Sequence, residues 1–88
     1  MSDQAFAILN SLNSDPSTSK MDDLLGGMAS FAGDAQSLST SLARGDSAGA
    51  KLALDALISD RRVVDAALEK NPSAMDKSKW NGLKAQLA

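Results

Sequence analysis

The chain has 88 residues, with nine Lys and Arg against eleven Asp and Glu, and neither histidine nor cysteine. Without cysteine there are no disulfides and no thiolate metal sites, and without histidine the commonest metal ligand and general base is missing. No metal, cofactor or catalytic constellation is therefore expected, and the near-balanced charge does not suit a general polyanion binder.

A chain of this length buries only roughly 60–65% of its unfolded surface, so one domain with a thin core is expected. Charge is unevenly spread. Residues 1–44 carry Asp3, Asp15, Asp22, Asp23 and Asp34 against Lys20 and Arg44, whereas Lys70, Lys77, Lys79 and Lys84 give the last stretch a basic balance. The opening Met1-Ser2-Asp3-Gln4 offers no basic n-region and no apolar h-region of signal-peptide length, so no signal peptide is expected, and no apolar run is long enough to span a bilayer. A cytoplasmic location, of a cell or an infected host, without membrane contact is the expectation.

Proline and glycine divide the chain into four helical pieces. The first, residues 2–12, places Phe6, Ile8, Leu9 and Leu12 at mostly helical spacing and stops at Asn13-Ser14-Asp15-Pro16-Ser17, where proline disfavours helix in the residue before it. The second, residues 19–44, opens on Ser19 with Asp22 three positions on, an acidic variant of the capping box. It ends at Arg44-Gly45, a basic last turn followed by a glycine suited to the C′ position.

Within that second piece Met21, Leu24, Met28, Phe31, Ala35, Leu38 and Leu42 advance by alternating threes and fours. This heptad stripe predicts a helix lying along another helix. The stripe serves as an internal core seam or as an oligomer interface. The opposite side carries Gly26, Ser30, Gly33 and Ser37, continued by Ser41. A glycine exposed in a helix costs about 1 kcal/mol against alanine. A free surface gains nothing from that cost, whereas a closely approaching helix needs small residues. The competing reading is a break at Gly26-Gly27.

The third piece, residues 47–70, carries an apolar stripe of Leu54, Leu57, Ile58, Val64 and Leu68, interrupted by Arg61. Leu52, Ala56, Val63 and Ala67 add a second face, broader than a single hairpin partner can cover. Arg61 and Arg62 can pair with Asp65 at helical spacing, and arginine is also enriched at interaction hot spots. The fourth piece, residues 73–87, has Ser73 and Asp76 in capping-box register and then Trp80, Leu83 and Leu87 on one side. Trp80 is either a core anchor or an exposed aromatic among lysines, able to stack on a base.

β-branched residues are scarce and alanine is abundant, so no strand pattern competes. The fold class expected is all-α: an antiparallel helical hairpin of the two long pieces, joined at Gly45, with short flanking helices making a three- to four-helix bundle. Trp80-Asn81-Gly82 meets the Trp-x-Gly pattern of the small secreted helical hairpins named for it. There, however, the motif occupies the central turn between two long helices, so it assigns no family here.

The functional expectation is a non-enzymatic assembly or adaptor protein acting on copies of itself or on a larger protein partner, as in virion parts or inhibitors. Its contact residues would be Gly26, Ser30, Gly33, Ser37, Leu52, Arg61, Val63 and Trp80. The alternative is a nucleic-acid-associated regulator using Arg61, Arg62, Lys77, Lys79, Trp80 and Lys84, whose binding would weaken steeply with salt.

Overall fold

A computed structural model describes residues 2–74 and 77–86. These fold into four helices in chain order: α1 Ser2–Ser14, α2 Asp22–Ala43, α3 Ser47–Lys70 and α4 Lys77–Ala85. No strand occurs among the described residues. The two long helices form an antiparallel hairpin, α1 packs against α2, and α4 reaches both long helices through Trp80. The fold is the all-α hairpin with flanking helices that the periodicity predicts.

α1 runs two residues beyond its expected end and buries Ala5, Ile8 and Leu12. The turn that follows is held by its own side chains. Asp15 Oδ1 accepts from the Ser17 backbone N–H at 2.9 Å and from Ser17 Oγ at 2.8 Å. These bonds favour the charged carboxylate and hold Asp15 below its ordinary pKa. Thr18, almost wholly buried, donates from Oγ1 to the Leu12 carbonyl at 2.7 Å and so satisfies an open carbonyl at the end of α1.

This turn corrects the expected start of α2. The Ser19 backbone N–H bonds to the Asp15 carbonyl at 2.8 Å, so Ser19 belongs to the turn and forms no capping box. α2 starts at Asp22, with Met21 at the cap position and no side-chain cap. Asp22 and Asp23 fall in its first turn, where the helix dipole favours negative charge.

α2 is continuous through Gly26-Gly27. Its C-terminus closes as the Arg44-Gly45 signal predicts. Gly45 takes φ +68°, its N–H bonds to the Leu42 carbonyl at 3.1 Å, and the Asp46 N–H bonds to the Ser41 carbonyl at 2.9 Å. That pair of bonds is a Schellman closure, and it needs the left-handed conformation glycine accepts most cheaply. Asp46 then caps α3 at once, its Oδ1 accepting from the Gly49 N–H at 2.9 Å. The chain thus reverses within a few residues, which forces α2 and α3 side by side.

The core lies where α1, α2, α3 and α4 meet. Leu24, Met28, Phe31 and Ala35 of the heptad stripe are buried there with Ile8, Leu12, Leu57, Val64, Trp80 and Leu83. The seam reading of the stripe therefore holds over its first half. Beyond Ala35 it fades. Leu38 is half-buried and Leu42 is 64% exposed, because neither short helix extends to the hairpin tip. α4 starts at Lys77 rather than at residue 73. Ser73 sits in a turn, and Asp76 and Leu87 lie outside the described residues. Among the described residues no helix is long and apolar enough to cross a membrane.

Candidate interaction surface

Two of the residues singled out in the sequence are placed against the body of the protein. Trp80 is only 1% exposed. Its ring meets Phe31 edge-on at 5.2 Å between centroids, and its Nε1 donates to Asp65 Oδ1 at 2.8 Å. Lys84 Nζ bonds to the same oxygen at 3.1 Å and stands 5.6 Å from the centre of the tryptophan ring. Trp80 is thus a core anchor with a satisfied polar tip. Its assignment to a contact surface is corrected, and so is its use as a stacking platform for a base. Asp65 pairs with α4 instead of with Arg61 or Arg62, of which Arg61 is half-buried and Arg62 exposed.

The remaining six come together on one surface. Gly26, Ser30, Gly33 and Ser37 of α2 are all exposed, as are Leu52 and Val63 of α3. Three contacts across the hairpin set the register of the two helices. Ser30 Oγ donates to Asp60 Oδ1 at 2.8 Å, a Cβ on Gly27 would lie 3.0 Å from Val63 Cγ1, and one on Gly49 would lie 2.9 Å from Ser41 Oγ. In each pair the two residue numbers sum to 90, so heights along the hairpin can be read directly. The six residues line the outer side of the hairpin, away from α1 and α4.

That side is open. A Cβ built on Gly26 or on Gly33 meets no atom within 4 Å. The close helix approach that the small residues were expected to permit occurs one position away, at Gly27. A Cβ there would stand 3.0 Å from Val63 and 3.1 Å from Val64, tight enough that either side chain must yield.

Beyond its first turn, which carries the exposed Asp22 and Asp23, α2 has no charge on its exposed side. From Leu24 to Ala43 the only charged residue is Asp34, which is half-buried toward α3. The exposed positions of that span are Gly26, Ala29, Ser30, Gly33, Gln36, Ser37, Ser39, Thr40, Leu42 and Ala43. A surface helix ordinarily carries charged residues on its solvent side. Beside this stripe, Leu52 is 72% and Val63 49% exposed. The result is an uncharged strip bordered by two large apolar side chains.

Between the two helices lies a carboxyl pair that periodicity does not reveal. Asp60 Oδ2 is buried without a hydrogen-bond partner, and the neighbouring carboxyl group is that of Asp34. Two ionised carboxylates cannot donate to each other. Desolvation comes first among the causes that push the Asp60 carboxyl up to about 6, and Asp34 adds to it, while the Ser30 hydroxyl acts in the opposite direction. A separate cleft of about 610 Å³ opens between α1 and α4, lined by Ile8, Leu12, Thr18, Lys79 and Leu83 among others. Gln86 of the α4 end donates to Gln4 of α1 across its rim.

Comparison of the chain with protein-family models, with curated proteins and with solved structures yields no match. The functional reading rests on the chain's own residues.

Proposed function

We propose that this chain is a non-enzymatic helical interaction protein that works through protein–protein contacts made by the outer side of its α2–α3 hairpin. One observation carries the reading. Ten exposed positions of α2 between Gly26 and Ala43 include no charge, and Leu52 and Val63 stand exposed beside them. Glycine and serine there weaken the isolated helix and contribute no net charge. A covering protein surface turns the same residues to advantage, since small side chains let another backbone come close and exclude water. Interfaces are depleted of charge at their centres in the same way.

The test uses the whole chain as bait beside a Leu52→Asp/Gly33→Leu double variant, with both proteins checked for equal helicity. Proteins, or further copies of the chain, retained by the wild type and lost by the variant support the reading. Identical capture by both overturns it. The nucleic-acid alternative loses its stacking residue with Trp80 in the core, and Lys84 is engaged by Asp65. A retained shift of DNA or RNA at low salt that disappears in a Lys77→Gln/Lys79→Gln variant would revive it.

A further inference from the structure

The geometry points to a second copy of this chain as the occupant of the outer face, paired about a two-fold axis that runs along the hairpin so that α2 of each copy lies over α3 of the other. This inference rests on the interaction reading above and adds the partner and its register.

Shape is the first argument. Each copy offers large side chains on one helix, Leu52 and Val63 of α3, and a strip without bulk on the other, Gly26 through Ser37 of α2. A two-fold axis along the hairpin preserves height and exchanges the helices. Since Val63 is level with Gly27 and Asp60 with Ser30, Val63 of the second copy arrives over Gly26 and Ser30. Leu52, eleven residues away on α3, arrives over Ser37, which is eleven residues from Gly26 on α2. Both projections meet small residues, and symmetry makes the fit twice. The other face-to-face arrangement, with the axis across the hairpin, sets Gly33 on Gly33 and Leu52 against Val63. It would ask for close approach on one helix and separation on the other.

Charge is the second argument. The face is neutral along α2 and charged at its ends. Asp22 and Asp23 begin α2 near the height of Lys70, and Arg44 ends α2 near the height of Asp46. The proposed axis brings the acidic start of α2 over Lys70 of the second copy and Arg44 over its Asp46, so opposite charges meet at both ends. Such end pairs set register more than affinity.

Area is the third. α2 has 22 residues; at about 1.5 Å per residue and about 10 Å per helix width, the two-helix face covers on the order of 600 Å² per copy. The pair would bury roughly 1,200 Å² in total, the lower bound for a specific interface.

Sedimentation equilibrium over roughly 10 µM to 1 mM provides the test. The wild-type chain is expected to move from 9.1 kDa toward twice that mass as concentration rises. Leu52→Asp and Gly33→Leu should remain at 9.1 kDa with undiminished helicity, because both positions are open in the single chain. Register is read by mixing Ser37→Cys and Leu52→Cys chains under mild oxidation, where the mixed disulfide should form ahead of either symmetric one. A wild type that stays monomeric, variants that dimerise as it does, or a preferred Ser37→Cys self-disulfide would each overturn the pairing. A monomeric wild type removes the second copy as occupant, whereas the reading itself falls only if the bait comparison above shows no difference.

Discussion

The two sides of the hairpin are built from the same pair of helices under opposite rules. On the inner side, bulk is packed to contact: Phe31 against Trp80, and Leu24, Met28, Leu57 and Val64 wholly buried. On the outer side, bulk is withheld from α2, while Leu52 of α3 stands exposed and Val63 is half-exposed beside Gly27. The adjacent glycines of α2 show the contrast most sharply. Gly27 is small because two valines occupy the space beside it, and Gly26 is small beside empty space. Chemical identity alone does not say whether a residue is packed or open. Its angle on the helix does.

Substitution on either side separates the two rules, and the largest effect belongs inside. Trp80→Ala removes the edge-on contact with Phe31 and leaves Asp65 without its indole donor. A loss of about 3–5 kcal/mol in urea unfolding is expected, most of the stability of so small a domain. Retention of wild-type stability would place the tryptophan outside the core. At the seam, Gly27→Leu forces the helices apart at Val63 and Val64 and should cost about 1–3 kcal/mol as overpacking, visible as a lower thermal midpoint.

A smaller effect, set by pH, comes from the carboxyl pair between the helices. The Asp60 carboxyl is raised to about 6 in the folded chain, above its ordinary value of 3.8. The folded state therefore holds its proton where the unfolded chain has released it. Stability should fall as pH rises from about 4 to about 6 and stay at the lower level above that. Asp60→Asn keeps a Ser30 acceptor and supplies a donor to the unpartnered edge. It should stabilise the fold by on the order of 1 kcal/mol at pH 7.5 and leave stability at pH 3.5 nearly unchanged. Equal gains at both pH values would show that the carboxyl pair does not titrate in this way. The smallest effect lies outside. Leu52→Asp, at a position 72% exposed, should change the stability of the dissociated chain by less than about 0.5 kcal/mol.

Much of the architecture was legible because it depends on local signals. The alternating threes and fours from Met21 to Leu38 specified the helix and its buried side. Arg44-Gly45-Asp46 specified the reversal, because a left-handed glycine followed by a capping aspartate leaves few alternatives. What sequence spacing could not supply was depth along the hairpin. Leu42 obeys the same period as Leu24, and it is exposed only because no short helix extends that far. Ser19 has the capping-box spacing, but Thr18 and Asp15 claim the turn first.

The residues expected at a contact surface divide in a similar way. Gly26, Ser30, Gly33 and Ser37 share a side of α2 by arithmetic alone, and their open position follows. Leu52 and Val63 were identifiable as surplus to a single packing partner. Trp80 carried no such information, since an aromatic among lysines reads alike whether its ring is in the core or in solvent. Asp65 decides between the two by accepting from the indole, and it lies fifteen residues away on another helix. The Asp34–Asp60 pair was equally hidden, because only the hairpin register brings the two carboxyls together.

The most direct measurement compares one change at two glycines. Urea unfolding of Gly27→Leu and Gly33→Leu, at a concentration low enough that only single chains are present, asks whether the two sides differ as described. The account predicts opposite signs: a loss of about 1–3 kcal/mol at Gly27 and a gain of up to about 1 kcal/mol at Gly33, where leucine is the better helix former and meets no neighbour. Losses of similar size at both positions would mean that the outer side of α2 is already covered within the single chain.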